Sequence, residues 1–308
     1  MATLNIFLFG NIQVYYDDHP LALRPAAKSL LAFLILQQRH HPHSSGQRRE
    51  VLANQLWQDQ NSNQARRCLS TTLWRLRREL EPNKIPQGTF LTTTSNGTIG
   101  FNFESNHWID VIEFEAGVRQ GLSYSLESMT LAEAVHLEKA RQLYTGELFE
   151  DCYGDWVHSE RERLNLLYLN CLARLMRFYE REGDYEKSVA CGQEILGVDP
   201  LREQIHRYLM RIYVANGQRA QAIQQYKVCE QVLAQELNIE PMAETKKLYA
   251  EISSTISQIP SNSTSSPEVI DLQQALAQLK VAMQDLTRIQ TQLQQVKHVF
   301  SQIDLNSS

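Results

Sequence analysis

The side chains best suited to a chemical task lie on one predicted helix, residues 64–80. Apolar residues recur along it every three or four positions and predict one buried stripe: Ala65, Leu69, Leu73, Leu76 and Leu80. The remaining surface carries arginines, an amide, hydroxyls and an indole: Gln64, Arg66, Arg67, Ser70, Thr71, Trp74, Arg75 and Arg78. Guanidinium groups bind phosphates and guanine edges, while amides and hydroxyls bind other base edges. The helix therefore predicts a surface that contacts duplex DNA.

A solvated helix face is the alternative explanation of these arginines. Solvated helices usually place acids and bases four residues apart, whereas Glu79 is the only acidic residue between Asp59 and Glu81. Trp74 would also lie on this outer face, where an uncovered indole lowers solubility. Both observations favour contact with a nucleic acid.

The neighbouring segments predict the elements that position this helix. Apolar spacing predicts four of them ahead of it: two strands within residues 4–16 and helices at 25–38 and 50–57. After it, two short strands at 90–94 and 98–103 are joined by Ser95-Asn96-Gly97 and predict a β-hairpin. Two close helices followed by a hairpin are the order of a winged helix-turn-helix. In its hairpin we expect Thr94 and Asn96 to contact DNA near the backbone or minor groove.

Charge divides the chain into a basic and an acidic part. Residues 1–106 carry 11 lysines and arginines against 7 acidic residues, whereas the remaining residues carry 19 against 28. A basic domain on an acidic body is expected where one domain meets a polyanion. The five cysteines include no C-x-x-C pair, and no apolar run reaches the length of about 18 residues that spans a bilayer. We therefore expect a cytoplasmic, nucleoid-associated protein with no membrane contact.

A repeat of 34 residues marks the middle of the chain. Tyr179 and Tyr213 are 34 residues apart, as are Gly183 and Gly217, and this is the tetratricopeptide (TPR) period. Each repeat predicts an antiparallel helix pair with a glycine turn, and predicted helices at 131–145 and 155–180 add earlier layers. Core packing is the favoured role of the tyrosines, with a peptide or ligand groove as the alternative: Tyr179, Tyr185, Tyr208, Tyr213 and Tyr226.

Several of these motifs resemble a known family. Leu8-Phe9-Gly10, residues 51–59, Ala65-Arg66 and residues 73–80 resemble the OmpR-type winged helix of the SARP class of bacterial activators. Later motifs resemble the bacterial transcriptional activation domain (BTAD) of that class: Gly183-Asp184-Tyr185, Asp199-Pro200-Leu201, His206-Arg207 and Gly217-Gln218-Arg219. The resemblance covers roughly residues 4–252. It implies that the loop at 58–63 faces RNA polymerase.

The chain departs from larger relatives in two respects. We expect no receiver domain ahead of residue 1, and the sequence contains no G-x-x-x-x-G-K-[ST] phosphate loop. Neither signalling through an acyl-phosphate nor a nucleotide switch is therefore expected within this chain.

The C-terminal residues predict a linker followed by a coiled coil. Residues 257–267 are polar and contain Pro260 and Pro267. In residues 268–304, large apolar side chains recur every 7 residues: Leu272, Leu279, Leu286, Leu293 and Phe300. Such a seam predicts a parallel two-stranded coil and hence a homodimer. A single helix folded back onto the repeats is the alternative.

Together these patterns predict a mainly α protein in four parts: an α+β winged helix-turn-helix at 1–106, a TPR-like all-α domain at 107–256, a linker at 257–267 and a coiled-coil helix at 268–304. We expect a sequence-specific transcription regulator, an activator that contacts RNA polymerase and binds double-stranded DNA as a homodimer through the coil or the repeats. A TPR-like scaffold with a non-DNA-binding winged helix is the alternative.

An enzyme is not expected, since the sequence shows no nucleophile elbow, metal-ligand spacing or nucleotide fingerprint. We therefore expect no catalytic residues, no metal and no cofactor. His40, His41 and His43 have no cysteine or carboxylate beside them and are interpreted as part of a solvated loop.

Overall fold

The computed structural model describes residues 3–39, 46–82, 85–152 and 154–254. Its contacts divide the chain into two units, Met1–Ser254 and Thr255–Ser308. The linker and coiled coil predicted at 257–304 lie outside the described residues, as do the three clustered histidines. All described elements belong to the first unit.

The N-terminal half combines a small sheet, three helices and a hairpin. Its elements in chain order are β1 (Leu4–Phe7), β2 (Gln13–Tyr16), β3 (His19–Pro20), α1 (Pro25–Gln38), α2 (Arg49–Leu56), α3 (Ser62–Leu80), β4 (Leu91–Thr93), β5 (Ile99–Phe101) and β6 (His107–Ile109). The strands, helices and hairpin predicted in this half are confirmed, with shifts of a few residues at their ends. Strands β3 and β6 are additional.

The sheet joins the start of this half to its end. Its strand order is β3-β2-β1-β6, with β2 antiparallel and β6 parallel to β1. Leu4 and Ile6 of β1 are fully buried, as their alternation predicts. Trp108 of β6 packs on Phe7 of β1, with ring centroids 5.1 Å apart. No pattern predicted β6, because a strand of three residues is too short for its alternation to be recognised.

The second half is helical. Its elements are α4 (Asp110–Ser123), α5 (Leu131–Leu143), α6 (Asp155–Arg181), α7 (Tyr185–Val198), α8 (Glu203–Ala215), α9 (Arg219–Leu237) and α10 (Ala243–Ser254). The helices predicted at 131–145 and 155–180 are confirmed as α5 and α6. Helix α4 was not predicted, although Val111, Phe114 and Val118 have helical spacing and are fully buried.

The predicted 34-residue repeat corresponds to two antiparallel helix pairs, α6–α7 and α8–α9. Gly183 and Gly217 form the turns within the pairs with φ of +75° and +72°, a region that favours glycine. Tyr179 and Tyr213 precede these turns and are buried, and Tyr226 of α9 is buried as well. Core packing is therefore the role of these three tyrosines, whereas Tyr185 and Tyr208 are half-buried.

Asp110, the first residue of α4, joins the sheet to the helical half. Its carboxylate accepts hydrogen bonds from the backbone N–H groups of Leu8 (2.8 Å), Phe9 (3.0 Å) and Val111 (2.7 Å). The residue is 3% exposed, and this burial raises the pKa of its carboxyl from 3.8 to about 6. The end of β1 is thus attached to the start of α4 through one buried side chain.

An ion-pair network attaches α1 to the helical half. Arg39, directly after α1, donates through Nε to Glu115 Oε1 (3.1 Å) and through Nη2 to Glu160 Oε2 (2.7 Å). Arg163 donates to the same two carboxylates. The side chains of Arg39 and Glu115 are only 3% and 6% exposed. Buried charges need several well-aligned partners to offset their desolvation, and each acid here has two guanidinium partners.

Candidate nucleic-acid interface

Helix α3 has the two faces that its sequence predicts. The apolar stripe is confirmed as buried, with relative exposures of 0–4%: Ala65, Leu69, Leu73, Leu76 and Leu80. The side chains predicted to bind DNA are exposed, apart from the half-exposed Arg75: Gln64, Arg66, Arg67, Ser70, Thr71, Trp74 and Arg78. Asn61 caps the helix, because its side-chain oxygen accepts from the Gln64 N–H at 2.9 Å. The orientation of α3 is therefore established, and DNA contact by these residues stays a prediction.

Two arginines attach α3 to the neighbouring elements. Arg49 of α2 donates through Nη2 to Ser70 Oγ at 2.8 Å, and Arg77 of α3 donates to the Thr93 hydroxyl of β4. Ser70 in turn donates to the Arg66 carbonyl at 2.9 Å. Ser70 is thus engaged within the protein, which gives it a positioning role. The sequence offered no signal for Arg77, because its partner lies 16 residues away on another element.

Glu81, the C-cap of α3, holds the start of the hairpin. Its carboxylate accepts from the backbone N–H groups of Gly88 (3.1 Å), Phe90 (2.8 Å) and Leu91 (2.9 Å). Residues 88–91, at the start of the hairpin, are therefore held by this one carboxylate. Glu81 was not among the predicted site residues, since an acid at a helix end has many roles that sequence alone does not separate.

The hairpin tip presents Asn96 to solvent. Thr94 N–H donates to the Thr98 carbonyl at 3.0 Å, and the hydroxyls of the two threonines are 2.6 Å apart. Gly97 completes the turn with a φ of +77°. The Thr94 hydroxyl is thus engaged across the turn, while Asn96 is exposed. The structure places Asn96, more than Thr94, in a position to reach a partner.

Trp74 forms one wall of a groove beside α3. The groove has a volume of about 610 Å³, and it continues along Arg49, Arg77 and Gln87. Trp74 is 59% exposed, and the Arg78 guanidinium lies 4.8 Å from its ring centroid. Arg78 also pairs with Glu79 at 3.2 Å, a contact in which the two side chains are 60% and 39% exposed. Exposed pairs of this kind are weak, so Arg78 can leave Glu79 for another anion.

The charge of this surface is positive. Within the described residues, Arg66, Arg67 and Arg75 form no ion pair. Glu79 lies at the far end of α3, and Glu81 is occupied by backbone N–H groups. The face therefore presents unneutralised guanidinium groups to solvent.

Nothing in the described residues provides a metal site. They contain no group of three or more histidine, cysteine, aspartate or glutamate side chains that could hold a metal ion. Burial raises the pKa of the Cys191 and Cys229 thiols to about 12, so both stay protonated near neutral pH. The same part of the chain has no helix long and apolar enough to cross a membrane.

The geometry defines a class of protein. A pair of helices followed by a β-hairpin, α2–α3 and β4–β5, is a winged helix-turn-helix, and it is joined here to TPR-like helical repeats. A solved structure shows the same fold: the chain matches Mycobacterium tuberculosis EmbR, determined in complex with a low affinity phosphopeptide, with a TM-score of 0.63 and 19% identity. That match covers 83% of this chain and 66% of EmbR.

Sequence comparison finds a matching domain and related regulatory proteins. Residues 109–253 match the bacterial transcriptional activator domain, BTAD. The chain is also 22% identical to the regulatory protein AfsR of Streptomyces coelicolor over 291 residues, and 23% identical to the transcriptional regulatory protein MoaR1 of Mycobacterium tuberculosis over 243 residues. These alignments cover 93% and 74% of this chain, against 28% of AfsR and 72% of MoaR1. These similarities support the SARP class of bacterial transcriptional regulators, and the chain spans just over a quarter of the length of AfsR.

Proposed function

We propose that this chain regulates transcription by binding specific sites in duplex DNA through α3. The observation that carries the proposal is the exposed basic face of α3, on which Arg66, Arg67 and Arg75 form no ion pair within the described residues. The similarity to proteins named as transcriptional regulators supports the same function. Hydrogen bonds of Arg49 and Arg77 attach α3 to α2 and to β4. Its exposed face would therefore meet DNA with little rearrangement.

In this proposal α3 lies in the major groove, which is about 12 Å wide and admits an α-helix. Arg67, Thr71 and Arg78 lie farthest from the buried stripe and would face the base edges. Arg66 and Arg75 flank them and would contact phosphates, which position the helix without reading sequence. Trp74 would cover a thymine methyl group, and Asn96 would meet the backbone or minor groove beyond the hairpin.

Activation and dimeric binding belong to the same proposal. The segment between α2 and α3 would face RNA polymerase, as the family resemblance implies, which makes the chain an activator. A homodimer formed through residues 268–304 or through the repeats would place two copies of α3 on two half-sites. Binding at the second half-site then becomes intramolecular, and affinity rises by about 10² to 10⁴ fold when the geometry permits.

The test begins with selection of bound sequences from a random duplex library by the full chain. Affinity for the selected site is then measured by fluorescence anisotropy for wild type, Arg67→Ala and Arg78→Ala. Arg119→Ala, which removes an exposed arginine from α4, is the matched control. We expect each α3 variant to lose about 1–3 kcal/mol of binding free energy, the contribution of a bidentate arginine, and the control to lose none. Wild-type affinity in both α3 variants would contradict the assignment of this face.

The alternative function is a protein-binding scaffold with a winged helix that does not bind DNA. The 34-residue repeats favour it, since stacked helix pairs commonly bind other proteins. Titration of salt separates the two functions, because neutralising phosphates releases counterions and makes DNA affinity fall steeply with salt concentration. A scaffold would show no such salt-dependent binding to duplex DNA.

A further inference from the structure

A second basic surface lies on the helical half, away from α3. A groove of about 650 Å³ runs between α6 and the segment that connects α4 to α5. Its α6 wall consists of Asn170, Ala173, Arg174 and Arg177, and its other wall includes residues 122 and 125–127. We call this the repeat groove.

The two arginines of the repeat groove differ in their hydrogen bonding. Arg174 donates through Nη1 to the Tyr124 carbonyl at 3.0 Å, which fixes its guanidinium at the rim. Arg177 is exposed and forms neither an ion pair nor a hydrogen bond within the described residues. Glu127 is the acidic residue of the lining, so the two arginines leave the groove with a net positive charge.

The basic surface continues onto the next repeat. Arg211 of α8 follows Arg177 by 34 residues and therefore occupies the equivalent position, and it is also exposed. Helices α6 and α8 are neighbours here, because the Tyr208 hydroxyl of α8 donates to Glu180 of α6. Arg211 is likewise without an ion pair among the described side chains.

Apolar side chains accompany these arginines. Leu166 on α6 is 54% exposed, and Val214 on α8 is 44% exposed. Leu166 lies one helical turn before Asn170, and Val214 lies about one turn after Arg211. A ligand on this surface would therefore meet guanidinium groups with aliphatic side chains beside them.

We propose that the repeat groove, extended by Arg211, binds an acidic peptide in an extended conformation. The peptide's carboxylates would pair with Arg177 and Arg211, whose planar guanidinium groups suit carboxylates, and its apolar side chains would cover Leu166 and Val214. The helical half carries more acidic than basic residues, whereas on this surface Arg174, Arg177 and Arg211 outnumber Glu127 and Glu180. A groove of this size admits a single extended chain, whereas a DNA duplex is far wider.

The test uses the full chain and a short fluorescent peptide of alternating glutamate and leucine. The comparison peptide replaces every glutamate with glutamine. Binding is followed by fluorescence anisotropy for wild type, the double variant Arg177→Gln/Arg211→Gln and the control Lys227→Gln. Lys227 is exposed on α9, which contributes no residue to the groove. Affinity for the selected duplex DNA is measured in parallel.

We expect the glutamate peptide to bind wild type and Lys227→Gln alike, and the double variant about 10-fold or more weakly, as the loss of charge-assisted hydrogen bonds implies. The glutamine peptide should bind all three proteins weakly. DNA affinity should not change, because α3 is intact in every variant. Equal binding of the glutamate peptide by wild type and the double variant would overturn the proposal. A loss of DNA affinity in the double variant would overturn it as well, by assigning these arginines to DNA.

Discussion

Asp110 makes stability depend on pH in a direction that can be derived from its surroundings. Burial raises the pKa of the carboxyl from 3.8 to about 6, while hydrogen bonds from Phe9, Leu8 and Val111 act in the opposite sense. The folded chain therefore binds this proton more tightly than the unfolded chain does. The resulting stabilisation is complete below pH 3.8 and is lost as the pH rises through about 6.

The size of the effect follows from the shift. A difference of roughly two pKa units, at 1.36 kcal/mol each, corresponds to about 3 kcal/mol of unfolding free energy. Asp110→Asn removes the titration, because the amide stays neutral. The amide also points an N–H₂ group at backbone donors, which lowers stability by an amount that does not vary with pH. The quantity to measure is therefore how the difference in unfolding free energy between wild type and Asp110→Asn changes with pH.

Urea unfolding of wild type and Asp110→Asn between pH 4 and pH 7 provides this measurement. We expect the stability advantage of wild type to fall by up to about 3 kcal/mol across this interval. Glu113→Gln, on the exposed side of the same helix, controls for removal of one carboxylate from α4. An advantage that grows with pH would refute the reasoning. It would mean that the three N–H donors stabilise the carboxylate by more than burial destabilises it.

The remaining predictions concern α3 and the C-terminal residues. Leu76→Ala should lower the unfolding free energy by about 2–5 kcal/mol, because Leu76 is fully buried in the stripe; weaker DNA binding without a lower melting temperature would mean that α3 is wrongly oriented. Deletion of residues 258–308 should lower the mass measured by sedimentation velocity and weaken binding to paired half-sites more than to one half-site. If full chain and truncation sediment as the same species, the coil does not join two copies.

The buried ion pairs at Arg39 have a consequence for function. Arg39 follows α1, and α1 packs against α3 in the core of the N-terminal half. Glu115 and Glu160, its partners, belong to α4 and α6 of the helical half. The basic face of α3 and the repeat groove are therefore carried on elements that share one continuous core. The helical half is thus linked to α3 through α1 and the buried ion pairs of Arg39.

Local patterns were sufficient for most elements and for the orientation of α3. Apolar residues spaced three and four apart define one buried side of a helix, whatever packs against it, so the stripe from Ala65 to Leu80 predicted both faces of α3. The turns at Gly183 and Gly217 were predictable for a similar reason, since their spacing repeats and their positive φ suits glycine.

Contacts between distant residues were decided only by the tertiary structure. Strand β6 pairs with β1 across about a hundred residues, and Asp110 caps the same strand from the start of α4. Nothing in the local sequence distinguishes Arg77, Glu81 and Arg39 from other charged residues at helix ends. Their roles arise from partners on other elements. A sequence pattern records the environment that a segment needs, apolar on one side and polar on the other. It does not record which segment supplies that environment, because many pairings satisfy the same local requirement until the whole chain packs.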